Sequence, residues 1–533
     1  MSSPAPAGRR GGGAFAVGAG ILISRLFGLV RQRVISHFLG IGDAADVLSA
    51  ALRIPNVIQN LLGEGVLSAS FVPVYARLRA EGRHEDATRL ARSVGALLAA
   101  ASSAVVLIGM AFAPALVSLI AGGFGAEKQA FTVQLVRLLF PGMAALVMSA
   151  WCLGVLNAHR QFFVSYTAPV AWNLAIIATL LLRATPDDAN AAARLVAIGA
   201  VIGSVLQFAV QIPWLIRHLP AAVRGRLRTP ELRRVLANFA PVVIGRGVVQ
   251  ISGWLDQLIA SFITGGAAAV LFYAQNIALL PVSVFGMAVS ASELTEMASR
   301  SAADAESGIR DRLQGGLRAI AFFVVPSAAA LLLLGDVLAA AVLQTGRFVR
   351  SDTVWVWGVL AGSSVGLLAG TLGRLYNSAW YALHDTRTPV KIALIRIAVA
   401  ATLGSIAALL LPGWLGIDRK WGVAGLTVSA GIAAWLEYTL LRRALNARLG
   451  PTGLPEGLLL RLWGAALLAG AAGFGVKLLL ATTHPIALAL AVFGVYGFGY
   501  FGLTTALGID ESAAVVARVR SRLGLGAGRR TGP

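Results

Sequence analysis

Three arginines sit inside apolar stretches near the start of the chain: Arg25 and Arg31 in the first, Arg53 in the second. A charge at the centre of a bilayer costs at least about 2.5 kcal/mol, so intramembrane arginines face a partner or a watery cavity. Guanidinium forks match phosphate and pyrophosphate oxygens, which they grip with two parallel hydrogen bonds. Asp46, Arg53 and Asn60 follow one another at seven-residue intervals and share a helix face, and Glu64, four beyond Asn60, joins them. At ~1.5 Å per residue the stripe is about 27 Å long, most of a hydrocarbon core. A polar stripe of that length cannot face lipid. It lines a path for an anionic, hydrogen-bonding substrate, or Arg53 closes it by pairing with Asp46 or Glu64. Arg25 has no acid within two helical turns and shares a face with Gln32, which favours the anion path.

Other polar groups lie further along. Asp256 is mid-stretch, with Gln257 beside it and Asn276 beyond. It holds a coupling cation or proton, or it pairs with Arg246. Asp385 is a second candidate for a coupling sodium ion or proton. Arg374, close to Tyr376 and Asn377, faces a cavity or pairs with an acid such as Glu437. Glu293 and Glu296 are expected to be solvated, and Lys477 to reach the outer surface along its own stem. There is no phosphate-binding Gly-rich loop ending in Lys-Ser/Thr, no histidine cluster and no Gly-x-Ser-x-Gly elbow. The expectation is a transporter without enzymatic chemistry, resident cofactor or metal, driven by an ion gradient, the membrane potential or the substrate's own gradient.

The elements that carry these residues are set by composition. The chain is 57% hydrophobic and 13% charged, with mean hydropathy +0.76, which excludes an ordinary soluble domain. Apolar stretches long enough to span a bilayer recur throughout. Fourteen are expected, near 14–38, 44–76, 93–121, 130–156, 163–182, 195–216, 237–262, 267–298, 319–343, 353–383, 391–411, 422–441, 462–482 and 485–507. Residues 39–79 (Arg53, Pro55, Gly63, Gly65) and 263–300 (Asn276, Pro281, Gly286) share a layout: a short loop, then a long polar span. That repeat after six spans predicts an all-α polytopic membrane protein with two six-helix bundles around a central cavity, plus two C-terminal helices. The expected segments are a tail 1–13, a bundle 14–218, a linker 219–236, a second bundle 237–441, a loop 442–461, two extra helices 462–507 and a basic tail 508–533.

Charge placement gives orientation. Of 45 Lys and Arg, 29 fall in the tails and even-numbered loops, 7 in the odd-numbered loops and 9 inside spans. The excess predicts both termini in the cytoplasm. It also accounts for most of the net charge of +21 through topology and lipid head groups, without nucleic acid. No cleavable leader is expected before the first span. The single cysteine, Cys152, lies in an apolar run and excludes disulfides within the chain.

The run Ser24-Arg25-Leu26-Phe27-Gly28-Leu29-Val30-Arg31, then Gly42-Asp43-Ala44-Ala45-Asp46, Arg53-Ile54-Pro55-Asn56, Gly63-Glu64-Gly65 and Phe71-Val72-Pro73, resembles the start of the MurJ (MviN) family. So do Gln344-Thr345-Gly346-Arg347-Phe348 and the block from Leu375-Tyr376 through Tyr381-Ala382-Leu383-His384-Asp385-Thr386-Arg387-Thr388-Pro389-Val390-Lys391. The likeness covers residues 14 to about 450. It implies a lipid II flippase of the bacterial inner membrane, in the multidrug/oligosaccharidyl-lipid/polysaccharide exporter superfamily. Such a protein moves undecaprenyl-pyrophosphate-linked disaccharide-pentapeptide to the outer leaflet by alternating access. The resemblance puts pyrophosphate contacts on Arg25 and Arg31, cavity acids on Asp46 and Glu64, and the polyprenyl tail in a groove formed by the last two spans. Membrane lipids and wall-synthesis complexes are the implied neighbours.

Three positions depart from the family pattern. Gln32 stands where an acid is common, Gln59-Asn60 where a basic pair is common, and Asn276 where an arginine is frequent. The substrate-binding set Arg25, Arg31, Arg53, Asp46, Asn60, Glu64, Asn276 and Arg374 is therefore less cationic than the family's. That leaves open a flippase for another polyprenyl-linked glycan, such as an O-antigen or capsule unit. A cation-coupled drug exporter would instead favour an acid-rich cavity, and Arg25, Arg31 and Arg53 argue against it.

Overall fold

The computed structural model describes residues 10–219, 230–283, 305–383, 385–480, 484–513 and 515. Among them every regular element is a helix. A chain this apolar has no other way to satisfy its own backbone groups in lipid, short of a closed barrel. By its internal contacts the chain divides into two compact units: residues 1–272 with 342–352, and residues 273–341 with 353–533.

The first unit contains α1 (Arg10–Leu39), α2 (Asp43–Leu62), α3 (Glu64–Ser70), α4 (Val72–Ala80), α5 (His84–Ala111), α6 (Ala113–Ile120), α7 (Ala126–Ala158), α8 (Phe162–Arg183), α9 (Ala189–His218), α10 (Pro230–Ser261) and the start of α11 (Ala267–Pro281). α8 packs along α1 and α9, and α7 along α9 and α2. Gly203 on α9 lets that helix lie against α8: a Cβ there would sit 2.8 Å from the backbone Cα and O of Trp172. An apolar core joins Phe71, Tyr75 and Leu78 to Leu90 and Val94 of α5 and to Trp151 and Cys152 of α7. Trp151 Nε1 donates to the Ala91 carbonyl at 3.0 Å inside it.

The second unit contains the rest of α11, then α12 (Ala305–Leu343) up to Ala341, α13 (Arg350–Ala382) from Thr353, α14 (Arg387–Ser405), α15 (Gly422–Leu449), α16 (Leu458–Leu479) and α17 (Pro485–Ala506). α14 runs on through a π turn, Ile406–Leu410, and packs on α15, while α16 packs on α17.

Among the described residues, eleven helical runs are long and apolar enough to cross a membrane. They coincide with eleven of the fourteen expected spans. The other three involve α1, α10 and α11, which are helical but not among those eleven, and residues 284–298 of the expected eighth span lie outside the described residues. α1 carries Arg25, Arg31 and Arg33, α10 carries Arg246 and Asp256, and α11 is 15 residues long. Glu293 and Glu296 lie outside the described residues.

The second span corrects one expectation. Asp43–Ala80 is a single apolar run of 38 residues, but it is built of three helices. The chain breaks at Gly63, where a Cβ would meet the Gln59 carbonyl oxygen at 2.5 Å. Glu64 therefore opens α3 and does not continue the stripe of α2.

Candidate functional site

The first unit holds most of the expected polar residues. Arg31 is the best organised. Its Nη1 donates to Asn173 Oδ1 at 2.9 Å, and its guanidinium carbon lies 4.7 Å from the centroid of the Trp172 ring. Both supports are themselves fixed. Asn173 Nδ2 donates to the Pro169 carbonyl at 3.1 Å, and Trp172 Nε1 to the Ala200 carbonyl at 3.0 Å. Arg31 Nε is buried without a hydrogen-bond partner. Arg25 is exposed and near enough to repel it electrostatically. Among the described residues neither arginine has a carboxylate partner. Gln32, next to Arg31, is 2% exposed, and neither of its side-chain polar atoms has a partner. The arrangement is two neighbouring cations, one of them racked on an amide and an indole face, with no acid to neutralise them. It suits a multiply charged anion.

Asp46 takes a different role from Arg31. It is fully buried. Lys128 Nζ donates to its Oδ2 at 2.5 Å, the Gly266 N–H to Oδ2 at 2.7 Å and the Ala269 N–H to Oδ1 at 2.8 Å. Lys128 also donates to Asp43 at 2.8 Å and lies 4.3 Å from the Phe124 ring centroid. Asp46 thus caps the start of α11 while neutralising Lys128, joining three segments at one carboxylate. Nearby, Ser49 Oγ accepts from Gln257 Nε2 at 3.4 Å.

Arg53 pairs with neither Asp46 nor Glu64. Its Nη2 donates to the Gly253 carbonyl at 2.8 Å, and Asp256 is close enough to act on it electrostatically. A Cβ at residue 253 would lie 3.0 Å from the Arg53 guanidinium carbon, so glycine there makes the approach feasible. The side chain of Arg246, the alternative partner for Asp256, lies outside the described residues. Asn60 and Glu64 are exposed.

In the second unit Arg374 is exposed and Asn276 half-buried. Glu437 forms its ion pair with Arg396 at 3.1 Å and acts on Arg374 electrostatically. Asp385 lies in the loop before α14. It accepts the Arg387 and Thr388 N–H groups at 2.9 and 3.0 Å and the Thr388 hydroxyl at 2.8 Å. These bonds hold its carboxyl below the usual aspartate range, and the pattern is that of a helix cap. Lys477 does not reach outward alone: it pairs with Asp336 at 2.6 Å, because α12 offers an acid at its height. Among the described residues no group of three or more His, Cys, Asp or Glu is placed to hold a metal.

The sequence did not point to Lys128, Trp172, Asn173 or Gly253. Lys128 had one available signal, since it is among the few cations on its side of the chain. The others act only through tertiary contacts.

The family model described as "Lipid II flippase MurJ" matches residues 35–512. The chain is 31% identical over 435 residues to the lipid II flippase MurJ of Burkholderia cenocepacia, covering 80% of this chain and 82% of that one. It is 31% identical to the probable lipid II flippase MurJ of Haemophilus influenzae, covering 80% and 84%. Among solved structures, a lipid II flippase MurJ in an inward closed conformation superposes with a TM-score of 0.74 at 21% identity, over 93% of this chain and 99% of that one. An inward-facing multidrug transporter of the MATE family superposes at 0.66 with 14% identity, over 81% and 98%, and it shares the fold alone. A family match of that extent, with curated relatives aligned over four-fifths of the chain, means that this chain belongs to the lipid II flippase MurJ family.

Proposed function

We propose that this chain moves lipid II, the undecaprenyl-pyrophosphate-linked peptidoglycan precursor, from the inner to the outer leaflet of the cytoplasmic membrane by alternating access. The observation that carries the proposal is the uncompensated Arg25 and Arg31, with Arg31 fixed on Asn173 and Trp172. A diphosphate brought to them replaces mutual repulsion with charge-assisted hydrogen bonds. Binding then favours whichever state brings the arginines closer together. Arg53 is the third cation of the set, and Asp256 beside it is the acid at which a sodium ion or proton would compete with the guanidinium. An ion gradient or the membrane potential supplies the energy. Both termini lie in the cytoplasm, a reading supported by the excess of Lys and Arg in the tails and even-numbered loops.

The test is arrival of labelled lipid II in the far leaflet of proteoliposomes. Arg25→Ala is expected to slow it at least tenfold without loss of folded protein. Transport at the wild-type rate would remove the arginines from the mechanism.

A further inference from the structure

A cavity of about 810 Å³ opens within the first unit, among the loops that join α6 to α7 and α10 to α11 and the first turns of α2, α7 and α9. That volume is in the range of sites for small organic molecules, about 300–1,000 Å³, and far larger than a single ion needs. Two helices give it a polar wall. α7 presents Glu127, Phe131 and Gln134, spaced four and three residues apart on one face, and α9 presents Asn190 and Arg194, four apart. The Arg194 guanidinium carbon lies 5.1 Å from the Phe131 ring centroid, bridging the two helices. Phe262, 51% exposed, adds an apolar surface to the lining.

The charges on this wall are divided. Lys128 and Asp43 also line the cavity but pair with each other at 2.8 Å, and Lys128 pairs with the buried Asp46 as well. Arg194 is exposed and, among the described residues, has no ion pair. Glu127 is an exposed acid on the neighbouring helix. A phosphate would meet Arg194 but also Glu127. A short peptide bearing both a carboxylate and an amine satisfies both groups, while the two amide side chains can hydrogen-bond its backbone and Phe262 can pack against its methyl groups.

We propose that this cavity receives the peptide part of the transported head group on the outer side, with a peptide carboxylate on Arg194 and a peptide amine on Glu127. The inference rests on the function proposed above, because lipid II carries such a peptide.

The test uses the full chain in lipid nanodiscs and a soluble N-acetylmuramyl pentapeptide that has neither pyrophosphate nor polyprenyl chain. The wild type is expected to bind it. Arg194→Gln is expected to weaken binding about tenfold, the loss of one charge-assisted pair. A peptide with methyl-esterified carboxylates should bind the wild type as weakly, and Arg194→Gln should weaken that peptide no further. Glu127→Gln should weaken the free-amine peptide and leave its amine-acetylated form unchanged. Transport of lipid II by Arg194→Gln should fall several-fold. Equal binding by wild type and Arg194→Gln, or no binding by the wild type, overturns the site. Lost binding with unchanged transport would assign the site to free wall peptides and overturn its link to the head group. Arg25→Ala is expected to bind the soluble peptide normally, which separates the two proposals. A chain that binds the peptide but carries no lipid II defeats the flippase function alone. One that carries lipid II but ignores the peptide defeats this site alone.

Discussion

Single carboxylates and imidazoles set much of the behaviour of this chain. Asp46 is buried with a lysine and two backbone donors, so removing its charge leaves Lys128 without its buried partner. Breaking a buried pair on one side costs about 3–5 kcal/mol. Asp46→Asn is expected to lower the melting temperature of the detergent-solubilised protein by several degrees, and adding Lys128→Met should recover part of the loss. A variant that melts like the wild type would show that the lysine carries no net stability. His159, in the loop between α7 and α8, accepts or donates with the Tyr75 hydroxyl at 2.9 Å and stacks on His218 with ring centroids 4.0 Å apart. Burial, then Arg79 and the neighbouring histidines, pushes its pKa down to about 4. The unfolded chain protonates the same imidazole near pH 6.5. Between those values the unfolded state binds more protons, so stability falls as pH drops from about 6.5 toward 4. His159→Gln should flatten the melting temperature across that window, and an unchanged slope would place the acid sensitivity elsewhere.

At the scale of elements, α12 and the last two helices form the clearest device. Pro326 has no N–H to give the Phe322 carbonyl, and the Tyr500 hydroxyl donates to it instead at 2.7 Å. The Tyr496 hydroxyl donates to the Pro326 carbonyl at 2.6 Å. Lys477–Asp336 on one side and Arg318 with Asp510 and Glu511 on the other extend the attachment along α12. Interhelical hydrogen bonds in membranes average about 0.6 kcal/mol each, so one loss is small and several together are not. The triple variant Tyr496→Phe, Tyr500→Phe, Lys477→Met is expected to loosen the α16–α17 pair, broadening spin-label distances between α12 and α17. Distances as narrow as in the wild type would mean that apolar packing alone holds the pair. Helix existence was legible because 3.6-residue apolar runs are long and the connections short. The break at Gly63 was less so: a side chain there would run into the Gln59 carbonyl, a close approach that the presence of a glycine permits but does not announce. Partners were not legible, because they come from other helices. Arg53 finds Gly253 two hundred residues away, where helical spacing had offered Asp46 or Glu64, and Lys477 finds Asp336 on another helix, where an outward reach was expected.

At the scale of the whole molecule, the apolar runs, the charge asymmetry and the intramembrane arginines point to a polytopic membrane protein with a path for an anion, and the family match supplies lipid II as that anion. The arginines were visible from sequence alone, because charge inside an apolar run is costly and needs a reason. Trp172 and Asn173, which orient Arg31, carry no such mark, since an indole and an amide in an apolar helix are ordinary residues until folding brings them under a guanidinium. The central claim is that Arg25 and Arg31 receive the pyrophosphate of lipid II. The most direct measurement is growth of a bacterium depleted of its own lipid II flippase and supplied with this chain, comparing wild type, Arg25→Ala and Arg31→Ala at matched membrane levels. The account predicts rescue by the wild type and by neither variant. Rescue by both variants, or no rescue by a well-expressed wild type, would contradict it.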